Sequence, residues 1–255
     1  VVSSPRRPSL AGLGAGLAGL GPARALEVAR GLWAIVADAP EAAWRASEVE
    51  RRLQDLDWVT VQAAAHEAVL EAFLGKGGLV PLRLFTLFSG DARAQEDLAA
   101  RATTIREVLE ATRGRREWTF KVTLDAARAR TQAAARARAE ATPPAGPAGQ
   151  AFLLRKKRER DAASEAVAQA RVELAAALAE LRGRATSLTA REPGPQEGAL
   201  LTDVTFLVAR GQERRFLAAA DAACARLAAL GCEARVSGPW PPYVAAAALG
   251  ASGRA

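Results

Sequence analysis

The sequence has no methionine, one histidine, two cysteines and one tyrosine. A single His and two Cys exclude a multi-His or Cys-rich zinc site and a disulfide-stapled scaffold. His66-Glu67 opens like the metalloprotease HExxH, but Leu70 stands where the second His belongs. That motif needs two imidazoles on one helical face, so His66 is expected to be an ordinary helix residue. With one His and no G-x-S-x-G elbow, a Ser-His-Asp hydrolase has no support either. No apolar run reaches the roughly 18–20 residues of a spanning helix. Lysine is scarce: only Lys76, Lys121, Lys156 and Lys157 stand among 35 basic residues. The lack of Met, with Val1 first, predicts either an initiator codon read as Val or a missing N-terminus.

What remains is ordinary globular material. The chain has 255 residues, 50% hydrophobic and 25% charged, enough for one large domain or two small ones with a real core. The net charge is +7 and the pI about 10.3, which invites a nucleic-acid reading. The excess is mostly Arg, interleaved with Glu and Asp along the chain, and such spread charge forms solvated faces. Cys224 and Cys232 are expected as buried thiols.

Residues 1–22 have a loop composition. Arg6-Arg7 before an apolar stretch imitates a twin-arginine export peptide, but the stretch is short and glycine-rich. Gly14 to Gly19 matches GxGxxG without the preceding strand and following helix that a dinucleotide site requires. Ala25–Val28 and Leu32–Ala37 flank Arg30-Gly31 and predict a hairpin or a neighbouring pair of strands. Ser47 with Glu50 predicts a capping box. Asp55 and Asp57 cap a longer helix whose inner face is expected at Trp58, Val61, Ala65, Val69 and Phe73. Gly75-Lys76-Gly77-Gly78 stops it and lacks P-loop spacing. Val80–Phe88 predicts a buried strand. Asp91 starts a helix with Leu98, Ile105 and Leu109 on one face, ending near Gly114.

A second pattern follows: strand Trp118–Leu124, an Ala/Arg helix over 125–141, and a Pro/Gly linker at 142–149. Next come a long helix over 150–182 with its seam at Val167, Leu174, Leu178 and Leu181, a short strand at 185–189 and a turn at Pro193-Gly194-Pro195. Strand 200–208, helix 212–230 and a strand from Cys232 to Val236 complete it. This β-α-β-β-α-β order is the ferredoxin-like arrangement. The fold class is therefore α+β with two domains, 1–114 and a ferredoxin-like 115–243, and an Ala-rich tail over 244–255.

Two segments carry candidate contacts. Arg155-Lys156-Lys157-Arg158 is the densest basic run, either a solvated helix start or a dock for an acidic partner. Gly238-Pro239-Trp240-Pro241-Pro242-Tyr243 is expected to hold both aromatics in an extended, rigid stretch, since Pro excludes helix interior and central strand. They either lid the domain's own core or offer a preorganised aromatic surface; a lid role is expected for Trp240 and partial exposure for Tyr243. The largest cavity is expected to hold no convergent ionisable constellation.

Seven pieces in order resemble the gas vesicle protein GvpL/GvpF family. They are Leu32–Val36 with Asp38 and Pro40; His66-Glu67-Ala68-Val69-Leu70; Val80-Pro81-Leu82-Arg83; Glu117-Trp118 with Lys121-Val122; Phe152-Leu153 with Lys156-Lys157; Phe206-Leu207-Val208; and the closing Gly-Pro-Trp-Pro-Pro-Tyr. Phe85 stands where the family pattern has Gly, and Val244-Ala245 where it has Ser-Phe. The family opens with an aromatic-rich strand of which only Val1-Val2 could be the end, so an incomplete sheet edge is expected near 25–28 or 32–37. The resemblance implies a non-enzymatic role in forming gas vesicles, in the cytoplasm, without cofactors. It implies contact with the main shell protein GvpA and other gas vesicle proteins, for which Arg83, Lys156, Lys157, Trp240 and Tyr243 are the candidate residues. The alternative is a basic ferredoxin-like nucleic-acid-binding protein.

Overall fold

The computed structural model describes residues 1–11, 13, 19–74, 78–140, 148–191 and 199–251. Most of the GxGxxG stretch, most of Gly75–Gly78, most of the 142–149 linker and the Pro193–Pro195 turn lie outside them. The chain divides into two compact units, Val1–Arg116 with Pro241–Ala255, and Glu117–Trp240.

The first unit holds strands β1 (Val2–Ser3), β2 (Arg24–Ala29), β3 (Leu32–Val36) and β4 (Gly78–Leu79) in the antiparallel order β2-β3-β1-β4. Its helices are α1 (Glu41–Trp44), α2 (Ala46–Arg52), α3 (Leu56–Glu71), α4 (Asp91–Ala100) and α5 (Ala102–Thr112). Period-two alternation sends successive side chains to opposite faces of a strand. Leu32, Ala34 and Val36 accordingly meet Leu98, Ile105, Val108 and Leu109 of α4 and α5. Trp33 and Ile35 meet Val69, Leu70 and Phe73 around α3. The sheet thus lies between two helical layers.

Several expectations fail here for local reasons. β2 is an edge of the sheet, as expected near 25–28, but β3 is interior, because β1 pairs with its Leu32 and Trp33 and, on the other side, with β4. None of the strand expected over Val80–Phe88 forms: β4 is the two residues before it, Gly78–Leu79, and Leu84-Phe85 form a turn closed by Thr86 N–H donating to the Arg83 carbonyl at 3.1 Å. Ser47 makes no capping box, because α2 already begins at Ala46 with Arg45 as its uncapped N-terminal neighbour. Asp55 does cap α3, its Oδ1 accepting from Trp58 N–H at 3.1 Å. The buried stripe of α3 is rotated from the expected one: Gln62 and Leu70 are inside, whereas Val61 is exposed. Apolar residues occupy two adjoining faces of this helix, and only contact with the sheet chooses between them.

The second unit contains β5 (Arg115–Leu124, within this unit from Glu117), α6 (Ala126–Ala139), α7 (Ala148–Arg182), β6 (Ser187–Ala190), β7 (Leu200–Ala209), α8 (Glu213–Ala228) and β8 (Cys232–Trp240). The sheet order is β6-β7-β5-β8. Trp118, Phe120, Val122, Val204, Phe206 and Val208 alternate onto one face and pack against α7 and α8. The seam of α7 is Ala166, Ala170, Leu174, Ala177 and Leu181, with Val167 outside it. Alanine replaces bulk where helices approach closely: Ala129 and Ala133 of α6 abut Ala166.

The alanine-rich stretch expected as a tail is instead helix α9 (Tyr243–Ala251), which packs on α5 of the first unit. Both cysteines are free thiols whose pKa burial pushes up.

Candidate functional site

The first unit encloses a cavity of about 360 Å³ between β3, α1, α3 and the 82–91 segment. It is mainly apolar: Ile35, Val36, Trp44, Val69, Leu82, Phe85, Leu87 and Phe88 contribute to its lining. Ionisable groups nevertheless converge on its wall. Arg24 Nη1 and Nη2 donate to both Asp91 carboxylate oxygens at 2.7 Å, and Nη2 also donates to Asp38 Oδ1 at 2.7 Å. Partners 14 and 67 residues apart leave no local signal in sequence. Hydrogen bonding from Arg24 holds the Asp91 carboxyl below the usual carboxylate range. That is the wrong direction for a general acid near neutral pH, so the cluster is an ion-pair clamp joining β2 to the start of α4.

Phe85 carries the one positive φ, 63°, of a non-glycine among the described residues. A bulky side chain in the left-handed region costs about 1–3 kcal/mol, which neighbouring contacts must offset. Its ring stacks on Trp58 at 5.1 Å between centroids with 4° between planes, and Trp44 lies tilted at 6.2 Å. The Arg52 guanidinium covers Trp58 at 5.6 Å. Sequence reading placed Trp58 in a core stripe and missed the aromatic group. Its members come from three separate segments.

Of the candidate contact residues, Arg83 is exposed and lines the same cavity. Tyr243 is half-buried at the start of α9, a correction to the expected extended stretch. The tyrosine can begin this helix because Pro241 and Pro242 precede it, where missing N–H donors cost nothing. Its hydroxyl donates to Glu67 Oε1 at 2.5 Å and lies 3.4 Å from His66 Nδ1. Burial, then the Glu67 bond, pushes the tyrosine pKa up. His66 is therefore a half-buried helix residue beside Tyr243, and burial pushes its pKa down against the opposing charge of Glu67.

In the second unit Lys156 and Lys157 are exposed near the start of α7. Lys156 Nζ donates to Glu159 Oε2 at 3.3 Å and Arg138 Nε to Oε1 at 3.0 Å, which draws Lys156 into closing the α6–α7 hairpin. Phe152 and Leu153 beside them are 49% and 68% exposed. Trp240 is 42% exposed, which overturns the lid expected for it. β8 is an edge strand, and a register shift between Glu117 and Thr119 carries its last residues off the core face. Gly238 is required there: at φ 135° a Cβ would stand 2.8 Å from the Glu117 carbonyl.

The two aromatics should therefore respond differently to substitution. Trp240→Ala is expected to change stability by less than about 1 kcal/mol, as exposed sites do. Tyr243→Phe should cost about 1–2 kcal/mol by losing the bond to Glu67. Denaturant titration of both variants checks this. The depressed His66 pKa gives a pH prediction. The neutral ring is favoured by folding, so its contribution is complete above the unfolded value near 6.5 and is lost as pH falls below it. Melting temperature should drop between pH 7.5 and 5.5 more steeply in the wild type than in His66→Gln.

The profile of the family described as gas vesicle synthesis protein GvpL/GvpF matches residues 1–244. The chain belongs to the GvpL/GvpF family of gas vesicle proteins. Gas vesicle protein L of a Streptomyces species is 28% identical over 220 residues, covering 83% of this chain and 79% of that protein. Two crystal structures of GvpF share the fold. That from an Anabaena species has a TM-score of 0.63 at 18% identity, covering 96% of this chain and 93% of its own. That from Microcystis aeruginosa has a TM-score of 0.65 at 15% identity, covering 96% of each. GvpL/GvpF membership brings a gas vesicle role with it. No helix among the described residues is long and apolar enough to cross a membrane.

Proposed function

We propose that this GvpL/GvpF chain is an assembly or minor structural protein that binds the main shell protein GvpA and other gas vesicle proteins during vesicle formation in the cytoplasm, and that it is not an enzyme. The observation that carries the reading is the family match across residues 1–244. The chemistry of the site supports it. Arg24, Asp38 and Asp91 of the cavity wall are consumed in mutual pairing, while Arg83 and the apolar and aromatic surface are left available. Arg83, Lys156, Lys157, Trp240 and Tyr243 are proposed as partner contacts; Tyr243 would act through the docking of α9, since its hydroxyl is engaged by Glu67.

The two compact units are proposed as separate domains, the second a modified ferredoxin-like fold. Its β-α-β-β-α-β order, with β8 beside β5 and β7 between β5 and β6, supports this; the α6–α7 hairpin would be the modification.

The test is a binding titration of the full chain with GvpA at two salt concentrations. Association that changes little with salt is expected. A nucleic-acid binder neutralising six or more phosphates would instead lose about 10³-fold or more in affinity between 50 and 200 mM salt. Tight, salt-sensitive binding to nucleic acid with none to GvpA would replace this reading by the alternative.

A further inference from the structure

We propose that the cavity of the first unit is a docking pocket for an apolar segment of the protein partner that carries a carboxylate, with the Phe85 ring, backed by Trp58 outside the lining, meeting its apolar side chain and Arg83 pairing its acid. This rests on the reading of the chain as a shell-binding assembly protein and adds to it a surface and a recognition chemistry.

Three independent features converge on the pocket. Its volume, about 360 Å³, falls in the range of sites that take small ligands or a few side chains, roughly 300–1,000 Å³. Its lining is apolar, and Leu87 on that lining is still 42% exposed. The only strained non-glycine backbone among the described residues lies here, at Phe85, with its ring held flat against Trp58. Strain of this kind persists where the surroundings over-determine it, and it clusters at ligand clamps. A stacked, immobilised ring loses little entropy when a partner side chain meets it, which is how aromatic anchors gain binding strength.

Charge decides which segment fits. Two guanidinium groups, Arg24 and Arg83, and two carboxylates, Asp38 and Asp91, line the pocket. Arg24 is saturated by Asp38 and Asp91. Arg83, two residues before Phe85, is exposed and has no side-chain partner among the described residues. An apolar interior with one unclaimed guanidinium is complementary to a hydrophobic side chain with an acidic neighbour, and guanidinium pairs carboxylate in a two-pronged geometry that an ammonium does not reproduce. His66 is kept neutral by burial and adds no competing charge.

The full chain is titrated with the gas vesicle shell protein, alongside Phe85→Gly, Arg83→Glu and Arg83→Lys. Glycine at position 85 removes the ring and relieves the backbone, so that variant should stay folded and weaken binding by at least about tenfold. Arg83→Glu should weaken binding by at least about tenfold, with Arg83→Lys intermediate. Arg83 is exposed, so its variants report on binding whatever Phe85→Gly does to folding. Wild-type binding that survives both Phe85→Gly and Arg83→Glu within about twofold, below any hot-spot effect, overturns the pocket and leaves the functional reading standing. Absence of wild-type binding overturns both. Sodium dodecanoate offers the same apolar-plus-carboxylate chemistry without a peptide. If it changes tryptophan fluorescence in the wild type but not in Phe85→Gly, and the shell protein fails to displace it, the pocket serves a small amphiphile and the proposal is overturned.

Discussion

Phe206→Ala is expected to destabilise the second unit by about 3–5 kcal/mol, the usual range for removing a buried phenylalanine. Phe206 is fully buried on β7 and its ring meets that of Phe216 of α8 at 5.3 Å and 58°. The substitution removes three contributions together. Apolar area returns to water, the tilted ring pair is lost, and a cavity is left between a sheet and two helices that cannot collapse onto it. Phe206→Leu keeps most of the volume and should cost roughly half as much or less. Val172→Ala, at a site 71% exposed on α7, should change stability by no more than about 0.5 kcal/mol. Chemical denaturation of the three variants gives this order, and an alanine variant within about 1 kcal/mol of the wild type would mean that this core tolerates repacking.

Gly231→Ala should cost about 2–4 kcal/mol, a backbone penalty added to a steric one. Gly231 turns the chain from α8 into β8 at φ 82°, and a Cβ there would stand 2.4 Å from both Cα and N of Ala129. Those are backbone atoms at the start of α6, and Ala129 is itself fully buried against the α7 seam. No flexible side chain can give way, so either α6 shifts or the turn reforms. The Gly231 carbonyl also accepts from Asp125 N–H at 3.2 Å, and Asp125 caps α6 by accepting from Ala127 and Arg128 N–H. Displacement of the turn is therefore expected to loosen the first turn of α6, visible as faster amide exchange there. Gly211→Ala, with nothing within 4 Å of the added carbon, is the matched control and should fall within about 0.5 kcal/mol of the wild type.

Much of the second unit is legible residue by residue. Strands β5 and β7 alternate large apolar and polar residues, α8 repeats its apolar positions at helical spacing, and Gly and Pro punctuate the ends. Each of these signals is local, within a few residues, because strand and helix periodicity are properties of one segment. The closing Gly-Pro-Trp-Pro-Pro-Tyr is extended, as its prolines predict, through Trp240, and departs from that expectation only at Tyr243. Proline forbids a helix interior but favours a helix start, so Tyr243 turns into α9 while Trp240 ends an edge strand.

The chain by itself determined the α+β class, most of the element order of the second unit, the exclusion of several catalytic and metal chemistries, and the motif order that marks its family. It did so because side-chain periodicity, turn chemistry and residue supply need no partner to be read. Which of two apolar faces of α3 turns inward, that β1 runs inside its sheet, that Arg24 is spent on Asp38 and Asp91, and that Phe85 is held in a left-handed turn by Trp58 were decided only by tertiary structure. Each depends on groups brought together from distant parts of the chain, where packing and ion pairing outweigh the preferences of any single segment.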